Sequence, residues 1–414
     1  MTKTKEDVLR NIDEAGVSHI RLNFTDILGR LKGISITKGE IATVLEMGQG
    51  FDGSSIEGFV RIEESDLIAV PDPITFRIIP WDIGGEKTAM MFCDIQNPDS
   101  TPYMGDPRWM LKRMLARIAD KGWTYYVGPE IEYFYFSNNF EKPEIIDSGG
   151  YFDYGSVDIG TQVRKMTIAA LEALGVSVEA SHHEVAPSQQ EIDLKYQDAL
   201  VMADFAQIYK FVVREIALDN ELFASFMPKP IFGENGSGMH CHMSLFNSDK
   251  NLFHDSKDPY HLSKLARQYL AGILKHIKEI TLVLNQWVNS YKRLVVGYEA
   301  PAYISWGRRN RSSLVRVPML RTGHQKSTRV ELRSPDLRAI RTWLSQSCWP
   351  PAWPESRGNT SCPIRSRTTF SPCHPKNGPS LKSSRCPIRL KMLSGPWKIP
   401  SCCAMRSGNI FSGS

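Results

Sequence analysis

Four short stretches of this chain set ionisable residues two apart, with apolar residues between them. Residues 128–134 carry Glu130 and Glu132, and residues 239–245 carry His240, His242 and Ser244. Residues 328–333 carry Arg329, Glu331 and Arg333, and residues 182–193 add Glu184 and Glu191. On a strand, residues i and i+2 share a face. Each stretch is therefore expected to send its ionisable groups one way and Ile, Met, Cys, Val or Leu the other. Carboxylates gathered on one face repel one another at close range. Either cations sit among them or the face is open water.

Five of these side chains are carboxylates, Glu130, Glu132, Glu184, Glu191 and Glu331, and His240 adds one imidazole. Without a thiolate motif, that set suits hard divalent ions such as Mg²⁺ or Mn²⁺, whereas zinc usually brings Cys or more His. So many carboxylates can hold two ions. Arg293, Arg311, Arg316, Arg329 and Arg333 are available beside them. Two cations flanked by guanidiniums suggest phosphoryl transfer, in which both neutralise oxygens on the moving group. Read alone, any one of these Glu residues is a solvated or salt-bridged strand residue, and His182 and His183 read as structural. The mixture across four strands favours the metal site.

The elements that must position these groups follow from the pattern. Residues 6–14 read as a helix stopped by Gly16, and residues 19–24 and 31–36 as strands. A short helix is expected over 38–46, then a Gly-rich polar loop at 48–58; residues 71–80 and 88–95 close a small α+β unit. Asp106-Pro107 is a helix start, with Met110, Leu111, Met114, Leu115 and Ile118 as its apolar stripe. Helices are also expected at 160–174, 196–222 and 261–284, alternating with the polar-faced strands.

At 414 residues the chain can hold two or more domains. It has no run of apolar residues long enough for a membrane span and no signal-peptide core near Met1, so the cytoplasm is expected, with no membrane or nucleic-acid partner. The net charge of +5 hides a division: residues 337–414 hold 12 of the 50 Lys and Arg but one of the 45 acidic residues. They also hold six of the eight Cys, leaving Cys93 and Cys241 in the body, which fits a reducing compartment.

Longer strings carry a resemblance. They are Phe51-Asp-Gly-Ser-Ser55, Gly128-Pro-Glu-Ile-Glu132, His182-His-Glu-Val-Ala-Pro187, Phe226-Met-Pro-Lys-Pro230 and Asn235-Gly-Ser-Gly-Met-His-Cys-His-Met-Ser244. Asn289-Ser-Tyr-Lys-Arg-Leu294, Gly297-Tyr-Glu-Ala-Pro301, Asn310-Arg-Ser312 and Arg329-Val-Glu-Leu-Arg333 continue the series. Together they resemble the type I glutamine synthetases of bacteria. Gly58-Phe-Val-Arg61 and the acidic residues after it look like the branch without adenylylation control.

The resemblance implies an α+β chain. A small N-terminal β-grasp-like domain (1–100) would precede a large catalytic domain (104–336) with a curved, mainly antiparallel sheet, similar to guanido kinases. It implies that ATP phosphorylates the γ-carboxylate of L-glutamate and that ammonia then displaces phosphate, giving L-glutamine. Glu132, Glu184 and Glu191 resemble ligands of one metal, and Glu130, His240 and Glu331 those of the other. Glu179, His242, Ser244, Arg311, Arg316 and Lys326 match ATP-contacting positions. Asn235, Gly236, Arg293, Glu299, Arg311 and Arg333 match the glutamate site. Glu299 would close over the acyl phosphate, and Arg311 would face the transferring group. Asp52 matches the carboxylate that takes a proton from ammonium, lent by a neighbouring subunit within two stacked six-membered rings. On spacing alone, Asp52 is an ordinary turn residue before Gly53.

After Asp336 the resemblance stops. The family would continue Pro-Ala-Cys-Asn-Pro-Tyr-Leu-Ala-Phe-Ser, and codons for that string with one base lost after the Asp codon can be read as the residues from Leu337 onward. The expectation is a frameshift, with 337–414 an aberrant, disordered tail, the catalytic domain incomplete, and the chain poorly soluble or inactive. Two rival functions stay open: a related ligase joining glutamate to another amine, and a non-catalytic relative.

Overall fold

The structure, a computed structural model, describes residues 3–56, 66–139, 142–308, 310–320 and 323–337. The expectations for Gly58–Arg61 and for the tail beyond Leu337 lie outside the described residues.

The first sheet is built from local signals that the sequence displays. Helix α1 (Lys5–Ala15) starts at a Thr4–Asp7 capping box and stops at Gly16, whose φ of +67° lies in the left-handed region. Strands β1 (His19–Thr25) and β2 (Leu31–Thr37) form a hairpin. Helix α2 (Ile41–Met47) follows a separate 3-10 turn, where one helix from residue 38 was expected. The Gly-rich stretch contributes β3 (Gln49–Asp52) rather than loop alone. With β4 (Asp66–Pro71), β5 (Arg77–Ile78) and β6 (Thr88–Gln96), the order is β2-β1-β6-β4-β3, β5 pairing with β6. Only β1 and β6 run parallel among these pairs.

Helix α3 (Pro107–Ala119) begins as expected, Asp106 accepting from the Arg108 amide at 2.9 Å. The other Asp106 oxygen accepts from the Ile95 amide at 3.0 Å, tying the helix start to β6. Next come β7 (Trp123–Phe136), α4 (Thr161–Ala173), β8 (Val178–His183), β9 (Gln189–Leu194), β10 (Gln197–Asp198) and α5 (Ala199–Asp219). They are followed by β11 (Phe223–Ser225), β12 (Met239–Asn247), β13 (Lys250–Asn251), α6 (Lys264–Leu284), α7 (Val288–Arg293), β14 (Tyr303–Gly307), β15 (Ser313–Arg316) and β16 (Val330–Leu332). Helices α5 and α6 start later than periodicity alone predicts, because Asp198 and Ser263 cap them.

The second sheet runs β14-β15-β16-β12-β7-β9-β8, with β10 and β11 on β7 and β13 on β12. Its pairs are antiparallel except β14–β15. The residues between the ionisable ones, Ile131, Cys241, Met243, Val330 and Leu332, are buried in its core. One expectation needs correcting. Residues 182–193 are not one strand. Pro187 offers no amide hydrogen, and Ser188 takes φ +64°, so the chain reverses between β8 and β9. Glu184 thus lies in the turn and meets Glu191 across a hairpin, not along a strand.

Candidate active site

Strand register lines the ionisable groups up in three rows across the sheet. Arg316 pairs with Glu331, Glu331 with His242, and His242 with Gly128. Two residues along, His240 pairs with Glu130 and Glu130 with Asp193. Two further, Glu132 pairs with Glu191 and Glu191 with His182. Same-face neighbours in adjacent rows and strands are close enough to touch.

These rows floor a cavity of about 260 Å³. Glu130, Glu132, Glu184, Glu191 and His240 line it, as do Arg293, Arg311, Arg316, Arg333, Asn235, Gly236 and Glu299. Glu331 lies behind, fully buried, accepting from Arg333 at 2.6 Å and from Arg316. His242 contacts Glu130 and receives a hydrogen bond at 3.0 Å from Arg329. Among the described residues, ligand-type atoms gather in three groups: Glu130–His242–Glu331 and His182–Glu184–Glu191 at this site, and the buried Asp147–Asp158–His183. Relative to the two expected sets, His242 stands where His240 was placed and His182 where Glu132 was placed. His240 nevertheless lies between the groups, 3.2 Å from Glu130 and 3.5 Å from Glu132.

The electrostatics divide the site. Burial, then the charge of Glu132, pushes the Glu184 carboxyl up, and the same causes with Asp193 push Glu191 well above the usual range. Burial raises Glu132 and Asp193 too. Burial also works against Glu130, but the imidazoles of His242 and His240 outweigh it and hold its carboxyl well below the usual range. His240, buried and facing Arg333, is pushed down to about 4 and is a neutral imidazole at neutral pH. A neutral imidazole and mutually repelling carboxylates are the donor set of a hard divalent cation, so the residues fit the metals that the sequence suggests.

Other expected residues fall elsewhere. Asp52 is exposed in the first sheet, held by Ser54 and Ser55, whose hydrogen bonds lower its pKa; it does not line this chain's cavity. Glu179 is exposed on β8, and Lys326 is exposed and pairs with Asp249 at 3.3 Å. Ser244 shares the face of His240 and His242 one step further along β12. The buried Arg293 guanidinium donates to the carbonyls of Arg333 and Ser334, both at 3.0 Å.

Some site residues escaped the sequence reading. His182 was read as structural, yet it lines the cavity 3.9 Å from Glu191. Asp193 had a signal, lying two residues past Glu191 on one strand. Tyr151 and Phe152, rings stacked at 4.0 Å, line the wall, and no periodicity marks them. His183 is buried and bonds Asp147 at 3.0 Å and the Glu184 carbonyl at 2.6 Å.

Comparisons with known proteins give the family. Family profiles described as "Glutamine synthetase, beta-Grasp domain" and "Glutamine synthetase, catalytic domain" match residues 16–98 and 104–340. A glutamine synthetase of Mycolicibacterium smegmatis is 52% identical over 341 residues, covering 81% of this chain and 76% of that protein. One from Thermotoga maritima is 50% identical over 337 residues, covering 80% and 76%. Among solved structures, Plasmodium falciparum glutamine synthetase superposes with a TM-score of 0.78 at 27% identity, covering 83% of this chain and 74% of that one. A GmaS/ADP complex gives 0.75 at 30%, covering 84% and 80%. The chain belongs to the glutamine synthetase family, ATP-dependent ligases that make glutamine from glutamate and ammonia.

Proposed function

We propose that the cavity is the glutamate, phosphate and metal half of the catalytic site. One Mg²⁺ or Mn²⁺ would be held by Glu132, Glu184 and Glu191, with His182 beside them, and a second by Glu130, His240 and Glu331. Such ions would supply positive charge to phosphate oxygens during transfer. The convergence of Glu130, Glu132, Glu184 and Glu191 with Arg311, Arg316 and Arg333 on one cavity, with Glu331 buried behind it, supports this reading. Arg333, Arg293, Asn235 and Gly236 orient glutamate. Arg311 and Arg316 face the phosphates, with Glu179, His242, Ser244 and Lys326 towards the nucleotide. Glu299 and its loop keep water from the acyl phosphate.

Ammonium has no lone pair, so it needs an anionic pocket and a base. Glu299 supplies charge from this chain, and Asp52 supplies the base to a neighbouring subunit. We infer a homo-oligomer for that reason, a dodecamer of two rings by resemblance, and a cytoplasmic setting; no described helix is long and apolar enough to cross a membrane. We also propose the domain limits 1–100 and 104–336 and a frameshifted origin for 337–414. Resequencing across codon 336 tests the latter, and an unbroken reading frame there ends it.

The deciding experiment measures glutamine formation by the full chain with Mg²⁺ and with Mn²⁺, native particle mass, and Mn²⁺ affinity of Glu130→Gln and Glu191→Gln. Unchanged metal affinity in both variants refutes the site. Preference for methylamine over ammonium would favour the other-amine ligase.

A further inference from the structure

Lys229 lies in the loop between β11 and β12, and Tyr298 in the segment between α7 and β14. The Lys229 Nζ stands 3.5 Å from the centre of the Tyr298 ring. The same ammonium donates to the Glu234 carbonyl. Its backbone is held independently: the Lys229 amide donates to Asn289 Oδ1 at 2.7 Å, and the Lys229 carbonyl accepts from Asn289 Nδ2 at 3.1 Å. The cation is thus anchored on α7 and reaches two loops at once.

Both loops carry a cavity wall. Asn235 follows Glu234, Glu299 follows Tyr298, and all but Glu234 line the cavity. On the solvent side Glu299 has weak restraints. Its carboxylate meets Arg311 at 3.3 Å with both side chains about half exposed, and its carbonyl accepts from Arg333 at 3.3 Å. Gly297 turns the chain at φ +105°, a conformation that leaves the segment no side-chain anchor at that point.

We propose that Lys229 is a positioning residue that locks the Glu299 loop to the Asn235 loop, through its cation–π contact with Tyr298 and its hydrogen bond to Glu234. A half-buried ammonium over an aromatic face is attracted by the ring's negative face. A neutral side chain of the same length fills the space without that attraction, and an Arg retains it. Lifting Glu299 from the cavity then breaks the Lys229–Tyr298 contact, so opening one wall removes the tie that restrains the other. The functional meaning of this lock rests on the reading of the Glu299 loop as the closing segment.

Hydrogen–deuterium exchange on the full chain tests the lock without requiring turnover. In Lys229→Met and Tyr298→Leu, peptides covering 231–237 and 294–301 are expected to exchange several-fold faster, with β7 and β12 unchanged. Lys229→Arg and Tyr298→Phe should restore slow exchange. Unchanged exchange in either peptide, or acceleration that Lys229→Arg does not rescue, overturns the proposal. A parallel arm adds Mg²⁺, ATP and glutamate to the unaltered chain. If 294–301 gains no protection there, the closing-segment reading fails, whatever the variants show.

Discussion

The Nε2 of His242 lies 2.6 Å from a carboxylate oxygen of Glu130, although strand register sets Glu130 opposite His240. The contact is diagonal, and Glu130 also meets its direct partner, His240, at 3.2 Å. One carboxylate is therefore clasped by two imidazoles. Burial instead raises Glu132, Glu184, Glu191 and Asp193, and the charges of Glu132, Asp193 and Glu184 add to it at Glu191. That asymmetry decides how each should respond to substitution.

Glu191→Gln should act with opposite signs in two states. Without metal it removes a repelling buried charge, so Tm is expected to rise. With metal it removes a ligand, so Mn²⁺ affinity should fall at least about 10-fold. Thermal melts with and without Mn²⁺, with calorimetric titration, check both. A lower Tm in the metal-free variant contradicts the like-charge account.

The same groups set a pH dependence. Their folded pKa values lie above the unfolded ones, so the folded chain holds the extra protons. That contribution is present below the ordinary carboxylate range and is lost as pH rises through the raised values. His183 adds in the same direction, since Asp147 and the Glu184 carbonyl outweigh its burial. His240, lowered to about 4, opposes this until its ordinary value of 6.5 is passed, so from pH about 6.5 to about 8 the metal-free chain should lose Tm, and saturating Mg²⁺ should flatten the slope. A metal-free Tm that climbs over this interval sinks the prediction.

Gly238 is a position where size alone matters. A Cβ there would lie 2.2 Å from the Arg293 guanidinium and 2.9 Å from His240. Arg293 is fixed by buried carbonyls and cannot swing away freely. Gly238→Ala should lower kcat/KM for glutamate, or glutamate affinity where turnover is absent, by at least about 10-fold, because small misplacements of positioning groups are costly. Wild-type affinity would show that Arg293 does not orient glutamate.

Arg108, on α3, joins the first sheet to helix α5. Its guanidinium, 1% exposed, bonds Asp72 at 2.8 Å, Asp94 at 2.5 Å and Asp204 on α5 at 3.1 Å. Lys112 adds a second cation to Asp72 and Asp94. Arg108→Met leaves these carboxylates short of their main partner and should cost about 3–5 kcal/mol. Adding Asp204→Leu should recover part of that loss in urea melts, and a loss under about 1 kcal/mol would place the coupling elsewhere.

How much was legible depended on how local each signal was. Helices α1 and α3 declare themselves by a cap, a stripe and a Gly or Pro, and those forces act within a few residues. The alternation in 128–134, 239–245 and 328–333 selected the ligand-type side chains, because a strand's two faces are set by its own covalent geometry. Resemblance supplied the roles. Only the tertiary structure brought His182 into the cavity, through a hairpin that reverses at Ser188. It alone stacked Tyr151 on the wall and set Glu130 diagonally between two imidazoles, since register and turn path depend on contacts between segments far apart in the chain. The sequence by itself determined which residues face one way and what ions suit them. Packing decided which neighbours they meet, because charge coupling falls off within a few ångströms and no spacing rule reports those distances.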